Sequence, residues 1–289
     1  MILVFGSGGQ LGQELVLAAG SRGIPVTGLS RIQADVADAA AVEAAIAAAR
    51  PSLVVNAGAY TKVDKAETDE AEAFRANATG PGILGRACAA AGVPLVHVST
   101  DYVFDGSQAG AYRESDPIAP LGVYGRSKAA GEAALREAGD RHLILRTSWV
   151  YGVHGANFLK TMLRLAADRD ELRVVADQRG CPTSTLDLAE AILHAAARIR
   201  DGQADFGTYH LAGQGVTTWH GFASRIVAAQ APLTGRTPRV VPITTPEYPT
   251  PAKRPANSEL DSRLFAQTFG YTAKPWEDRT DEAVRALVA

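Results

Sequence analysis

The sequence predicts an α/β fold, a doubly wound parallel sheet with a smaller C-terminal part. Three observations carry this: an apolar run at the amino terminus that enters a glycine-rich turn and a helix, a repeated alternation of short apolar runs with alanine-rich stretches, and a change of rhythm after about residue 150. Residues 2–5, ILVF, are apolar and β-prone and read as a first strand. The turn GSGGQLG follows, with Gly6, Gly9 and Gly12 spaced Gly-x-x-Gly-x-x-Gly, and a helix continues over 11–19. The spacing gives each glycine a task. One turns the strand, one lets the backbone approach a pyrophosphate, and one lets helix pack on strand, while free N–H groups at the helix start attract the anion. Gly6, Gly9, Gln10, Leu11 and Gly12 are therefore candidate dinucleotide-binding residues.

The second strand, at 25–28, should end near Ser30 and Arg31, where an acid would normally grip the adenosine ribose of NAD. No acid is there. Ser30 and Arg31 suit a 2′-phosphate, because a guanidinium matches a phosphate; this tilts the cofactor toward NADPH and leaves NADH open. An ordinary exposed arginine in a loop would read the same way. Asp35 and Val36 begin the next loop, Asp35 either touching adenine or capping the helix at 40–49. A strand at 53–56 runs into Ala57, Gly58 and Ala59, small residues that let a planar cofactor approach the backbone, and Asn56 can tie neighbouring strand ends. A helix at 66–91 precedes a strand at 95–99, which leaves Ser99, Thr100 and Asp101 at a carboxyl end. There they either face a substrate carbonyl or cap a loop. A helix at 124–138 and a strand at 142–147 complete the regular part.

The helix at 124–138 opens on YGRSK, and Tyr124 and Lys128, four residues apart, share one helix face. A free phenol titrates near ~10 and is a poor proton carrier at neutrality. An ammonium ~4 Å away, at an effective dielectric of ~20, contributes roughly 4 kcal/mol, enough to lower a phenol by up to a few pKa units before desolvation opposes it. Tyr-x-x-x-Lys also occurs in ordinary amphipathic helices. The pair gains its weight from the glycine turn and from Thr100, with which it makes a hydroxyl, a phenol and an ammonium near one sheet edge.

Bulk properties fit a soluble enzyme. The 289 residues permit a dinucleotide-binding domain at 1–150 and a mainly substrate-binding part at 151–289, some of whose segments return to the first domain. With 29 basic and 31 acidic residues and no basic stripe, nucleic acid is not an expected partner. The first strand begins at Ile2 and no uncharged apolar run is long enough to span a bilayer, so no membrane partner and a cytoplasmic location are expected. Cys88 and Cys181 lack any metal or redox spacing and read as buried thiols.

The motifs GSGGQLG, NAGAYTKVDKAE, STDYVFDG, VYGRSK, LRTSWVYG, NFLKTMLRLA, DQRGCPT, TTWHGFA and RPANSELD, in this order, resemble the extended short-chain dehydrogenase/reductases. Within that family they are similar to its dTDP-4-dehydrorhamnose reductase branch, to which LRTSWVYG, DQRGCPT and RPANSELD are the most particular. The resemblance implies a Rossmann-like fold, a nucleotide-sugar substrate, and NAD(P)H-dependent reduction of its 4-keto group to give dTDP-L-rhamnose. It implies Tyr124 as general acid, Lys128 as its partner that also holds the nicotinamide ribose, and Thr100 as the hydroxyl that orients the keto oxygen. Asp101 is a further substrate contact, Trp149 packs beside the sugar or belongs to the core, and Arg254 pairs with the diphosphate or is an exposed arginine. Asn157, Gln178 and Thr183 are further pocket candidates. The resemblance leaves a homodimer open, and a Mg2+ ion between subunits, for which Glu14 is the acid on offer, with Asp187 and Glu190 near it in register. Two other readings stay open: a non-catalytic NADP-binding regulatory subunit, and a sugar-nucleotide epimerase of the same superfamily.

Overall fold

The computed structural model describes residues 1–288. Its central sheet holds β1 (Ile2–Phe5), β2 (Val26–Leu29), β3 (Leu53–Asn56), β4 (Leu95–Thr100), β5 (His142–Thr147) and a further strand at Gly207–His210. In space they run Gly207–His210, β5, β4, β3, β1, β2, every pair parallel. The expected bounds of β1, β3 and β5 coincide with the observed ones, and those of β2 and β4 differ by one residue. No helix among the described residues is long and apolar enough to cross a membrane.

Parallel strands with both faces covered must be apolar on both faces, and β1 shows it. Leu3 and Phe5 pack with Val42, Ile46, Leu84 and Leu135, while Ile2 and Val4 pack on the opposite face with Leu11, Leu15, Leu188 and Ile192. The first group includes α2 (Ala39–Ala49); the second includes α1 (Gln10–Ser21) and the helix Thr185–Arg200. A separate core in the C-terminal half gathers Tyr151, Leu159, Leu172, Phe222, Trp276 and Val284. Chain direction across the sheet reverses between β1 and β3, which opens a crevice at the strands' carboxyl ends.

The helix expected at 66–91 is not uniform. A short turn, Val63–Ala66, comes first, and the later helix runs Glu70–Phe74, widens to π geometry over Arg75–Thr79, and resumes at Gly80–Ala91. The widening serves a tertiary contact. Buried Asn77 lies in it, its Nδ2 donating to Ser127 Oγ and to the Tyr60 carbonyl, both at 3.0 Å. Its own carbonyl faces Gly131, where an added Cβ would stand 2.0 Å away. Gly131→Ala is expected to cost about 1–3 kcal/mol, read as a lower melting temperature, because neither helix can back away without disturbing the sheet behind it.

A buried ion pair ties β4, β5 and the helix Val123–Ala138. Arg146 donates to Glu132 through Nε at 2.9 Å and Nη2 at 2.7 Å, and Ser99 Oγ donates to the same carboxylate at 2.6 Å. Ser99 is thereby committed to the core rather than to a substrate.

Candidate active site

A cleft of about 740 Å³ lies at the sheet's switch point and runs from the glycine turn to the C-terminal half. Gly6 turns the chain out of β1 at φ +82°, a left-handed conformation suited to glycine, and an added Cβ would meet the Gly58 nitrogen at 2.4 Å. Gly12 lies beneath the turn, where a Cβ would meet the Gly6 carbonyl at 2.3 Å. Gly9 is the N-cap of α1 and offers no side chain to the first-turn amides of that helix. Those N–H groups, with Gly8 and Gly9 leaving the approach bare, fit the pyrophosphate of a dinucleotide. The other wall of this end is Ala57, Gly58 and Ala59.

Asp35 and Val36 also line the cleft, and the structure settles which carboxylate caps α2: Asp38 does, accepting from the Ala41 amide at 3.1 Å. Asp35 instead accepts from the Ala37 amide at 3.0 Å and from Arg75 Nη2 at 2.9 Å, and against the opposing effect of burial these bonds, with the charges of Arg75 and Arg31, hold its carboxyl below the usual range. Arg31 is at the cleft but not free. It pairs with Glu72 at 2.6 Å and stands 3.5 Å from Asp35. Ser30 does not line the cleft, and its hydroxyl donates to Gln33 Oε1 at 2.8 Å.

Thr100, Asp101, Tyr124 and Lys128 converge on the middle of the cleft. The helix that carries the last two starts hard against the end of β4, since a Cβ on Gly125 would stand 2.2 Å from the Tyr102 carbonyl. The sequence predicts a phenol made acidic by its cationic neighbour. In the structure burial dominates and pushes Tyr124 up to about 12, a Thr100 hydrogen bond opposing. Tyr124 is therefore protonated, the form a proton donor needs. Lys128 is almost wholly buried, and burial pushes it down to about 8, Glu132 opposing. Burial raises Asp101 to about 6, against hydrogen bonds from Ser258 and Thr100. Thr147 Oγ1 is buried in the cleft wall with no hydrogen-bond partner.

At the far end Trp149 stacks on Trp219, with ring centroids 3.7 Å apart and planes 12° apart, and Phe158 packs on the other ring at 4.6 Å. Trp149 holds φ +48°, a strained value for a bulky residue, and Gly180 makes room for its indole. Asn157 lines the cleft but is largely spent on structure: it caps the helix Phe158–Asp168 by accepting from the Lys160 amide, and its Nδ2 donates to Gln10 Oε1 at 2.9 Å.

Other predicted residues lie elsewhere. Arg254 is off the cleft, donating to both carboxylate oxygens of Asp64 at 3.1 and 2.9 Å. Buried Gln178 donates to Thr245 Oγ1 at 3.0 Å, and buried Thr183 to the Cys181 carbonyl at 3.1 Å. Glu14 accepts from Thr185 Oγ1 at 3.0 Å, Glu190 pairs with Arg22, and Asp187 with Arg279 at 2.7 Å. Among the described residues no group of three or more His, Cys, Asp or Glu gathers as a metal ion would need. Both cysteines are buried and free, and burial pushes each thiol up to about 12. Sequence reasoning missed Trp219, Phe158, Tyr60 and Thr147, all of which line the cleft.

Residues 1–289 match the model of the RmlD substrate binding domain. A dTDP-4-dehydrorhamnose reductase of Sinorhizobium fredii is 45% identical over 290 residues, spanning 99% of this chain and 97% of its own. A crystal structure of a dTDP-4-dehydrorhamnose reductase from Clostridium acetobutylicum superposes with a TM-score of 0.91 at 37% identity, covering 99% of both chains. Another from Bacillus anthracis, in complex with NADP, gives 0.91 at 32% identity, covering 99% of this chain and 98% of that one. The glycine turn, the Thr100, Tyr124 and Lys128 constellation and full-length similarity lead to one assignment: the chain belongs to the RmlD substrate binding domain family, that of the dTDP-4-dehydrorhamnose reductases.

Proposed function

We propose that this chain reduces the 4-keto group of dTDP-4-dehydro-6-deoxy-L-mannose to give dTDP-L-rhamnose. The observation that carries this reading is the convergence of Thr100, Tyr124 and Lys128 in a cleft that begins at the glycine turn. A bound nicotinamide supplies hydride to the sugar C4. Negative charge then develops on the keto oxygen, and Tyr124, protonated in its buried setting, donates to it as general acid. Thr100 orients that oxygen beside the phenol. Lys128 stabilises the phenolate left behind and holds the nicotinamide ribose, and Asp101 meets a sugar hydroxyl. Trp149, backed by Trp219, gives the sugar a flat apolar wall. In this reading residues 1–150 hold the cofactor, and 151–289 mainly shape the substrate side, while Thr185–Arg200 and Gly207–His210 return to the sheet.

The test is purified protein with NADPH and dTDP-4-dehydrorhamnose, following cofactor absorbance and product. Stoichiometric oxidation of NADPH supports the reductase, whereas conversion without net oxidation would indicate an epimerase and simple binding a regulatory subunit. NADPH is the favoured cofactor on the strength of Arg31. A 2′-phosphate would take this guanidinium from Glu72, exchanging one exposed ion pair for a charge-assisted contact. Arg31→Ala is therefore expected to lower kcat/KM with NADPH by about tenfold or more and to leave the NADH value nearly unchanged. Equal losses with both cofactors would count against the 2′-phosphate role.

A further inference from the structure

We propose that Asn56 and His97 are positioning residues for Lys128: they form a one-way chain of hydrogen-bond donors that ends at its Nζ and favours the amine over the ammonium. Lys128 can thereby return a proton to the Tyr124 phenolate after each reduction. This rests on the proposed reductase reading.

The direction of the chain follows from which atoms can only donate. The Gly58 amide donates to Asn56 Oδ1 at 3.1 Å, which fixes the side-chain oxygen and leaves Asn56 Nδ2 facing His97 Nδ1 at 3.0 Å. An amide NH2 has no lone pair to offer, so His97 Nδ1 accepts. His97 is fully buried at the centre of the sheet, where burial, helped by the charge on Lys128, keeps it neutral. Its one ring proton is therefore on Nε2, and Nε2 lies 3.3 Å from Lys128 Nζ. An ammonium presents only hydrogens and cannot accept that N–H; an amine can. Lys128 Nζ meanwhile donates to the Val98 carbonyl at 2.7 Å, a contact open to both forms.

The other charged groups nearby do not reverse this. Glu132, one turn further along the helix, favours the ammonium, but its carboxylate is matched by Arg146 at 2.7 Å and Arg136 at 3.0 Å. Tyr124, one turn earlier, is neutral before proton transfer. From β5, His142 bears on His97 and also disfavours its charging. Burial acts on Lys128 in the same direction as the donor chain.

The resulting step balances. A proton leaves an N–H bond of the Lys128 ammonium, passes along cleft water and re-forms the O–H bond of Tyr124. The electron pair left on Nζ then accepts the His97 Nε2–H, which stabilises the amine just formed. A proton from cleft water restores the ammonium, so the proton consumed by the reduction comes from solvent.

Two measurements test this. In wild-type protein labelled with 15N-histidine, long-range proton–nitrogen spectra should show the His97 ring, assigned by its absence in His97→Gln, protonated at Nε2 and bare at Nδ1 from about pH 6 to 9. A ring protonated at Nδ1, or at both nitrogens, overturns the proposal. In Asn56→Asp the Gly58 amide keeps its acceptor, while the second carboxylate oxygen must accept from His97 Nδ1–H. The tautomer switches, Nε2 then accepts from Lys128, and the alkaline limb of kcat against pH is expected to move up by about one unit or more. A switched tautomer with an unmoved limb sinks the idea. If that variant does not fold, the wild-type spectra still decide. They require no turnover, so they can fail while the reductase reading stands, and the converse.

Discussion

Tyr124→Phe is expected to lower kcat by about 10²- to 10⁴-fold, the range over which a positioned acid contributes. Phenylalanine keeps the ring, so its edge-on packing against Tyr102, at 5.4 Å between centroids, should persist along with the melting temperature. Cofactor affinity, followed by nucleotide fluorescence, should also change little, because the glycine turn and the Ala57, Gly58, Ala59 wall lie outside the reacting centre. Only the O–H disappears. Burial makes the loss hard to compensate, since a phenol pushed up to about 12 is a committed donor. A variant that turns over within a few-fold of wild type would remove the general acid from the mechanism.

The largest effect on stability is expected from Glu132→Ala. The carboxylate is fully buried and takes donors from Arg146, Ser99 and Arg136, so truncation strands the Arg146 guanidinium in the core without a counter-charge, leaving it the Phe104 ring at 5.1 Å and the neutral His210 Nε2 at 3.4 Å. Breaking a buried pair from one side costs about 3–5 kcal/mol. Chemical denaturation would show it as a lower midpoint, and Glu132→Ala with Arg146→Met should recover much of the loss. The same pair predicts an acid sensitivity. Although burial opposes it, Arg146 and the hydrogen bond from Ser99 hold Glu132 below the ordinary carboxylate range. A carboxyl lowered in the folded state contributes stability above its unfolded pKa and loses it as pH falls through the folded value. Wild type should therefore lose this contribution only in acid, below the usual glutamate range of about 4.3, and Glu132→Ala should show a flatter acid limb.

The sheet was legible because its strands are buried on both faces and so appear as unbroken apolar runs bounded by turn residues, with little competition from helix periodicity. The same holds for the glycine turn, where packing distances admit no side chain. What escaped depends on partners distant in the chain. The widening at Arg75–Thr79 is imposed by the approach of Gly131, and nothing in RANAT itself calls for it. Arg31 read as a free cation because Glu72 stands 41 residues further on. Arg254 read as either a diphosphate ligand or an exposed arginine, since its partner Asp64 is 190 residues away. Trp219 carried a usable signal: like Trp149 it falls within one of the motifs that mark the family, just after Thr218, which caps its helix. His97 escaped because its partners Asn56 and Lys128 stand 41 and 31 residues away.

The helix Thr185–Arg200 and the strand Gly207–His210 come late in the chain yet complete the sheet that begins at Ile2. Leu11 and Leu15 find their cover in Leu188 and Ile192, and the same cluster includes Phe265 and Phe269. During synthesis, then, one side of the nascent sheet stays greasy and open until most of the polypeptide has left the ribosome. The molecule should depend on chaperones for that interval more than its final stability would suggest.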